Sequence, residues 1–147
     1  MVKDMEIEIL LIEDNANDAE MAIRALRKQG IGNKLFHLQD GATALDFLFG
    51  TGEYAGRNTE NKPQVILLDL KMPKVNGIEV LQRIKSNEIT RKIPVVVLTS
   101  SKENPDVEKC YELGANSYIV KPVEFVNFSK AVAEVGLYWL LFNHPSA

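Results

Sequence analysis

The chain has 147 residues, of which 46% are hydrophobic and 25% charged, the usual size of one domain with enough apolar material for one core. Its 20 acidic and 17 basic residues are scattered and leave a net charge of -3, with no basic block to hold a phosphate backbone, so nucleic acid is a poor partner. The start, Met1-Val2-Lys3-Asp4-Met5-Glu6, runs into an apolar stretch too short and too interrupted by acids for a signal peptide or membrane span, and the single cysteine, Cys110, cannot form an internal disulfide; a soluble, unexported protein of a reducing cytoplasm is expected.

Ile7 to Ile12 is the first of several short runs rich in Val, Ile and Leu that largely lack polar alternation, as strands buried on both faces of a parallel sheet do. Helical spacing follows at Ala19, Ala22/Ile23 and Leu26, with Gly30 at the expected stop. Lys34 to Leu38 reads as a strand and Ala42 to Phe49 as a short helix. Residues 50–63, Gly50 to Pro63, hold three glycines, a proline and several polar residues without periodicity, a surface loop longer than the usual connection. Val65 to Leu68 is the next strand, and Ile78, Leu81 and Ile84 mark the next helix. Ile93 to Leu98 is a further strand; Val107, Cys110/Tyr111 and Leu113 before Gly114 form a helix in which Cys110 is a buried apolar thiol rather than a nucleophile. Ser117 to Val120 is the last strand.

Five strands alternating strictly with five helices predict a single-domain, doubly wound α/β fold with helices on both faces. On the last helix, Phe125, Phe128, Val132, Val135, Trp139 and Phe142 recur at three- and four-residue steps as one apolar stripe. Leu137, Tyr138, Leu140 and Leu141 add apolar surface off that stripe. A homodimer contact through this helix is the preferred reading, and a helix end wrapped by its own domain is the alternative.

Ligands of an open α/β sheet collect outside the carboxyl ends of its strands. The residues that finish the strands are Glu13 and Asp14, then Asp69, Thr99 and Lys121. Three carboxylates on one rim repel one another unless a cation neutralises them, and a few hard oxygen ligands suit Mg²⁺ completed by water and a phosphate oxygen. Aspartate can itself accept a phosphoryl group; Lys121 would neutralise that group and Thr99 would donate a hydrogen bond to it. Taken singly, each position has a plainer explanation. Glu13-Asp14 precede Asn15 and Asn17 and can lead into a helix, Asp69 can cap the helix after Met72-Pro73 and Gly77, Thr99 can cap the next one, and Lys121 before Pro122 can be a turn lysine. The ordered set at successive strand ends is what the plain explanations leave as coincidence. His37 and His144 share no local pattern with an acid or a cysteine and are assigned no chemistry.

Glu13-Asp14, then Val-Ile-Leu-Leu-Asp69-Leu-Lys-Met-Pro-Lys-Val-Asn-Gly77, then Leu98-Thr99-Ser100, then Ala115-Asn-Ser-Tyr118-Ile-Val-Lys121-Pro122 resemble the response-regulator receiver family over nearly the whole chain. The resemblance implies a flavodoxin-like (βα)5 sheet in strand order 2-1-3-4-5, spanning residues 1–147. It implies that Asp69 accepts the phosphoryl group from a histidine kinase, and that Asp14, Asp69 and the backbone carbonyl of Lys71 hold Mg²⁺. Glu13, where the family more often has aspartate, would act mostly through water or supporting contacts. Thr99 and Tyr118 would be the switch pair, Lys121 an ion-pairing lysine, and the Lys121-Pro122 bond cis. Such a protein catalyses only its own phosphoryl transfer from phosphohistidine and its own dephosphorylation. The long loop and the extended last helix and tail, residues 136–147, are similar to those of small stand-alone regulators that partner cyanobacterial phytochrome histidine kinases. Tyr118, Trp139, Leu141 and Phe142 are then the candidates for a dimer interface.

Two other classes share parts of this pattern. Metal-dependent phosphatases that use an aspartyl phosphate commonly carry a second acid two residues after the nucleophile, where this chain has Lys71. A flavodoxin-like electron carrier needs a neutral phosphate cradle in the first turn, which here is the acidic Glu13-Asp14-Asn15-Ala16-Asn17. A DNA-binding output domain is not expected, because nothing after about Pro145 could hold one.

Overall fold

The computed structural model describes residues 7–31, 34–72, 75–100 and 105–134. Five parallel strands, β1 (Ile9–Ile12), β2 (Leu35–Leu38), β3 (Val65–Asp69), β4 (Val95–Thr99) and β5 (Ser117–Val120), form one sheet in the order β2-β1-β3-β4-β5. They alternate with α1 (Ala16–Lys28), α2 (Gly41–Phe49), α3 (Gly77–Lys85), α4 (Pro105–Glu112) and α5 (Phe125–Glu134). This is the flavodoxin-like arrangement, and its strand order reverses between β1 and β3.

The sheet forms where it does because alternate strand residues leave opposite faces. Leu10, Ile12, Ile66, Leu68, Val95 and Val97 pack with Phe47 of α2, Leu81 of α3 and Cys110 of α4. Ile9, Leu11, Val65, Leu67, Val96 and Leu98 pack on the other side with Leu26 of α1 and Phe128 and Val132 of α5. Every residue of β1, β3 and β4 is buried, whereas the edge strand β2 is mostly half-buried. Each fully buried large aliphatic or aromatic side chain contributes about 1.5–3 kcal/mol. The register sets Asp69 beside Leu98 and Thr99 beside Val120, so these functional candidates end adjacent strands on one rim.

Helix starts are fixed by short polar side chains. Asn15 Oδ1 accepts the Asp18 N–H at 2.9 Å, Asp40 Oδ1 accepts the Thr43 N–H at 2.7 Å, and Asn76 Oδ1 accepts the Glu79 N–H at 2.9 Å. Such caps contribute about 1 kcal/mol each. The caps of α1 and α3 are thus Asn15 and Asn76 rather than the Glu13-Asp14 pair or Asp69, and Thr99 is the last residue of β4.

Several expectations need correction. Ile7 and Ile93 are buried but precede their ladders, while Asp69 and Thr99 fall inside theirs, because backbone pairing does not stop where apolar side chains do. Tyr111 is 45% exposed and off the α4 stripe; its ring instead meets Tyr118 edge-on, with centroids 6.3 Å apart. The segment from Gly50 to Pro63 is not all surface. It contains a short 3-10 turn, Gly52–Tyr54, and buries Arg57, whose guanidinium lies 3.9 Å from the centre of the Phe47 ring. Arg57 Nη1 donates to the Phe47 carbonyl at 3.0 Å and Nη2 to the Asn61 carbonyl. Tyr54 closes the cluster edge-on to Phe47, with centroids 5.2 Å apart. Cys110 is a free, fully buried thiol whose pKa burial pushes up to about 11, as its apolar setting requires. Val135, Trp139, Leu141 and Phe142 lie outside the described residues.

Candidate functional site

β1 ends into Glu13 and Asp14, β3 ends on Asp69, β4 on Thr99, and β5 leads into Lys121. Asp69, Thr99 and Glu13 are 3%, 2% and 1% exposed, whereas Asp14 faces solvent. Carboxylate oxygens of Glu13, Asp14 and Asp69 all lie within 4.8 Å of one another. The ammonium of Lys121 enters this group, 2.9 Å from Glu13 Oε1, 3.0 Å from Asp69 Oδ1 and 3.1 Å from Asp18 Oδ2. The Lys121-Pro122 peptide bond is cis.

Backbone geometry holds the carboxylates in place. The Asn15 N–H donates to Glu13 Oε2 at 3.2 Å, and His37 Nε2 donates to the Glu13 carbonyl at 2.8 Å across from β2. The Lys71 N–H approaches Asp69 Oδ1 at 3.4 Å. Behind Asp69, the Gly77 N–H donates to the Leu70 carbonyl at 3.0 Å. A Cβ on Gly77 would stand 2.3 Å from the Asp69 carbonyl oxygen, so this position requires glycine on packing grounds. In front of Asp69, a cavity of about 40 Å³ is lined by Asp69, Lys71, Thr99, Ser100 and Lys121.

Electrostatics report a surplus of negative charge. Burial, together with hydrogen bonding to and repulsion from Glu13, pushes the Asp69 carboxyl up to about 6, with Lys121 opposing. Burial and the neighbouring Asp69 also raise Asp14 above the usual carboxylate range. Burial works to lower the Lys121 pKa, but its bonds to Glu13 and Asp69 more than offset this and hold it above the ordinary lysine value. A single lysine therefore under-neutralises the rim. Hard oxygen donors in this state of mutual repulsion fit a small divalent cation.

The structure thus brings Glu13, Asp14, Asp69, Lys71, Thr99 and Lys121 together. Tyr118 lies away from the rim, half-buried on β5 beside Tyr111. Asp18 and His37 were not among the residues expected here. The signal for Asp18 is its place in the first turn of the helix that follows the acidic pair. For His37 no local signal exists, since its side chain reaches the Glu13 carbonyl only because β2 pairs with β1.

A 2-1-3-4-5 sheet carrying an acidic cluster and a lysine on its carboxyl rim defines a receiver domain, and the chain belongs to that family: the response regulator receiver domain matches residues 9–133. Proteins of this family are phosphorylated on aspartate in two-component signalling and bind divalent metal. The solved structure of the bacteriophytochrome response regulator RtBRR is 50% identical, with a TM-score of 0.84 over 97% of this chain and 85% of that one. The probable methanogenesis regulatory protein FilR2 of Methanothrix harundinacea is 43% identical over 92% of this chain and 84% of its own. The response regulator Rcp1 of Synechocystis is 40% identical over 90% of this chain and 88% of its own, and its Mn(2+)-bound structure superposes with a TM-score of 0.72 over 96% of this chain and 97% of that one. No helix among the described residues is long and apolar enough to cross a membrane.

Proposed function

We propose that Asp69 is the phosphoacceptor of a two-component phosphorelay and that its phosphorylation switches a protein-binding surface. The observation that carries this reading is the Lys121 ammonium 3.0 Å from Asp69 Oδ1 inside an acidic cluster with surplus negative charge. An Asp69 carboxylate oxygen attacks the phosphorus of a phosphohistidine; the P–O bond forms as the P–N bond breaks, and the electron pair leaves with the imidazole. Lys121 neutralises the incoming phosphoryl oxygens, and Thr99, which lines the same cavity, donates to one of them. The carboxylates of Asp14 and Asp69 and the backbone carbonyl of Lys71, supported by Glu13, would hold Mg²⁺, which supplies charge neutralisation when bound. Hydrolysis of the aspartyl phosphate resets the protein, which has no other substrate.

The switch then runs from Thr99 to Tyr118. Its output face is the region of α4, β5 and α5, where Tyr111 is 45% and Val126 76% exposed and a groove of about 310 Å³ runs past Tyr118, Asn127 and Lys130. A homodimer through this face and the last helix, including Trp139, Leu141 and Phe142, is part of the proposal. The partner is a sensor histidine kinase of the phytochrome type, in the cytoplasm. The 50% identity to a bacteriophytochrome regulator supports that input.

Incubation with acetyl phosphate and Mg²⁺, followed by intact mass, tests the central step. One phosphoryl group is expected on the wild type and none on Asp69→Asn; undiminished labelling of the variant overturns the assignment. Faster transfer from a phosphorylated phytochrome kinase than from unrelated kinases is expected, and equal rates would remove the proposed partner.

A further inference from the structure

We propose that Asp18 is a positioning residue for this reaction: it holds the Lys121 ammonium away from the incoming phosphoryl group and thereby slows phosphorylation of Asp69. The inference rests on the reading of Asp69 as phosphoacceptor.

An ammonium has three protons to donate. Lys121 has three carboxylates around it, Glu13 at 2.9 Å, Asp69 at 3.0 Å and Asp18 at 3.1 Å, so each proton has an acidic acceptor. Bonding to a phosphoryl oxygen therefore requires one of these partners to yield. Glu13 is fixed, being 1% exposed and tied through its other oxygen to the Asn15 N–H. Asp69 is the reacting group and moves with the phosphorus. Asp18 has a side chain 39% exposed, so water can take over its carboxylate when Lys121 turns away. Helix α1 presents it there, because its backbone N–H is pinned to the cap Asn15 Oδ1 at 2.9 Å. It is also a further negative charge facing an anionic donor at close range. The cap uses the backbone rather than the side chain of Asp18, so substitution leaves it in place.

Phosphorylation rates with acetyl phosphate and Mg²⁺ are compared for wild type, Asp18→Asn, Asp18→Glu and Glu20→Gln. Asp18→Asn should react about three- to tenfold faster, the range of a released ion pair plus reduced repulsion. Asp18→Glu should return towards the wild-type rate. Glu20→Gln removes the same charge from a side chain that pairs with Arg24 on the surface, and should match the wild type. Independently, the ¹⁵Nζ resonance of Lys121 in the metal-free protein should shift in Asp18→Asn and hold still in Glu20→Gln. An unchanged or slower Asp18→Asn, an equal gain in Glu20→Gln, or an unmoved Lys121 resonance overturns the inference. An unlabelled wild type instead removes the phosphoacceptor reading beneath it, and a shifted Lys121 resonance would then mark the contact as structural.

Discussion

Buried Arg57 and half-buried Lys121 are held in opposite ways. Arg57 is held by two backbone carbonyls and the face of Phe47, groups that cannot leave, and its Nε has no partner among the described residues. Burial accordingly lowers its pKa. Lys121 is held by side-chain carboxylates, of which Asp18 is open to water and Asp69 is the group proposed to react. The first arrangement fixes a loop. The second is exchangeable, which is what a site that must admit a new anion needs.

The contrast is sharpest for chemistry. Lys121→Met should lower the rate of Asp69 phosphorylation by at least about 100-fold, as loss of a cation facing a transferring phosphoryl group does. Arg57→Ala should leave that rate unchanged, measured by the same intact-mass time course. For stability the ranking reverses. Urea denaturation should find Arg57→Ala destabilised by about 2–4 kcal/mol, through lost carbonyl bonds, ring contact and packing. Arg57→Lys should recover less than half of this, since a compact ammonium cannot span both carbonyls and stack.

Next in size is a pH effect confined to the acidic rim. Because the Asp69 carboxyl is raised from 3.8 to about 6, the metal-free folded protein keeps a proton that the unfolded chain has already released. The associated stability is fully present below about pH 4 and is lost as pH rises through about 6, at no more than about 1.4 kcal/mol per pH unit. Urea titrations in chelator should show this decline in the wild type and a smaller one in Asp69→Asn, where burial still raises Asp14; an equal slope in both places the titration elsewhere. Arg57, cationic throughout that range, adds no slope. The smallest effect sets the baseline: Glu20→Gln breaks an exposed pair with Arg24 and should change stability by about 0.5 kcal/mol or less.

Much of the fold is legible in the sequence because β1, β3 and β4 are apolar on both faces, so unbroken runs announce them. Their ends are less legible, since Asp69 and Thr99 continue the backbone ladder with polar side chains. The site's principal residues could be found because each finishes a strand. Asp18 and His37 could not be placed there without knowing the helix orientation and the β1–β2 pairing. Arg57 looks like one more polar residue of a glycine-rich stretch, and only the approach of Phe47, ten residues earlier in the chain, makes it part of the interior.

The glycine behind the acceptor carries one more implication. Gly77 puts bare backbone against the Asp69 carbonyl and the Leu70 Cα, leaving no slack on that side. On the role proposed for Asp69, the main chain beneath it has no room to retreat towards Gly77, and displacement caused by an added group would pass forward towards Thr99. The direction of the message would then be set by the half of the molecule that stays still.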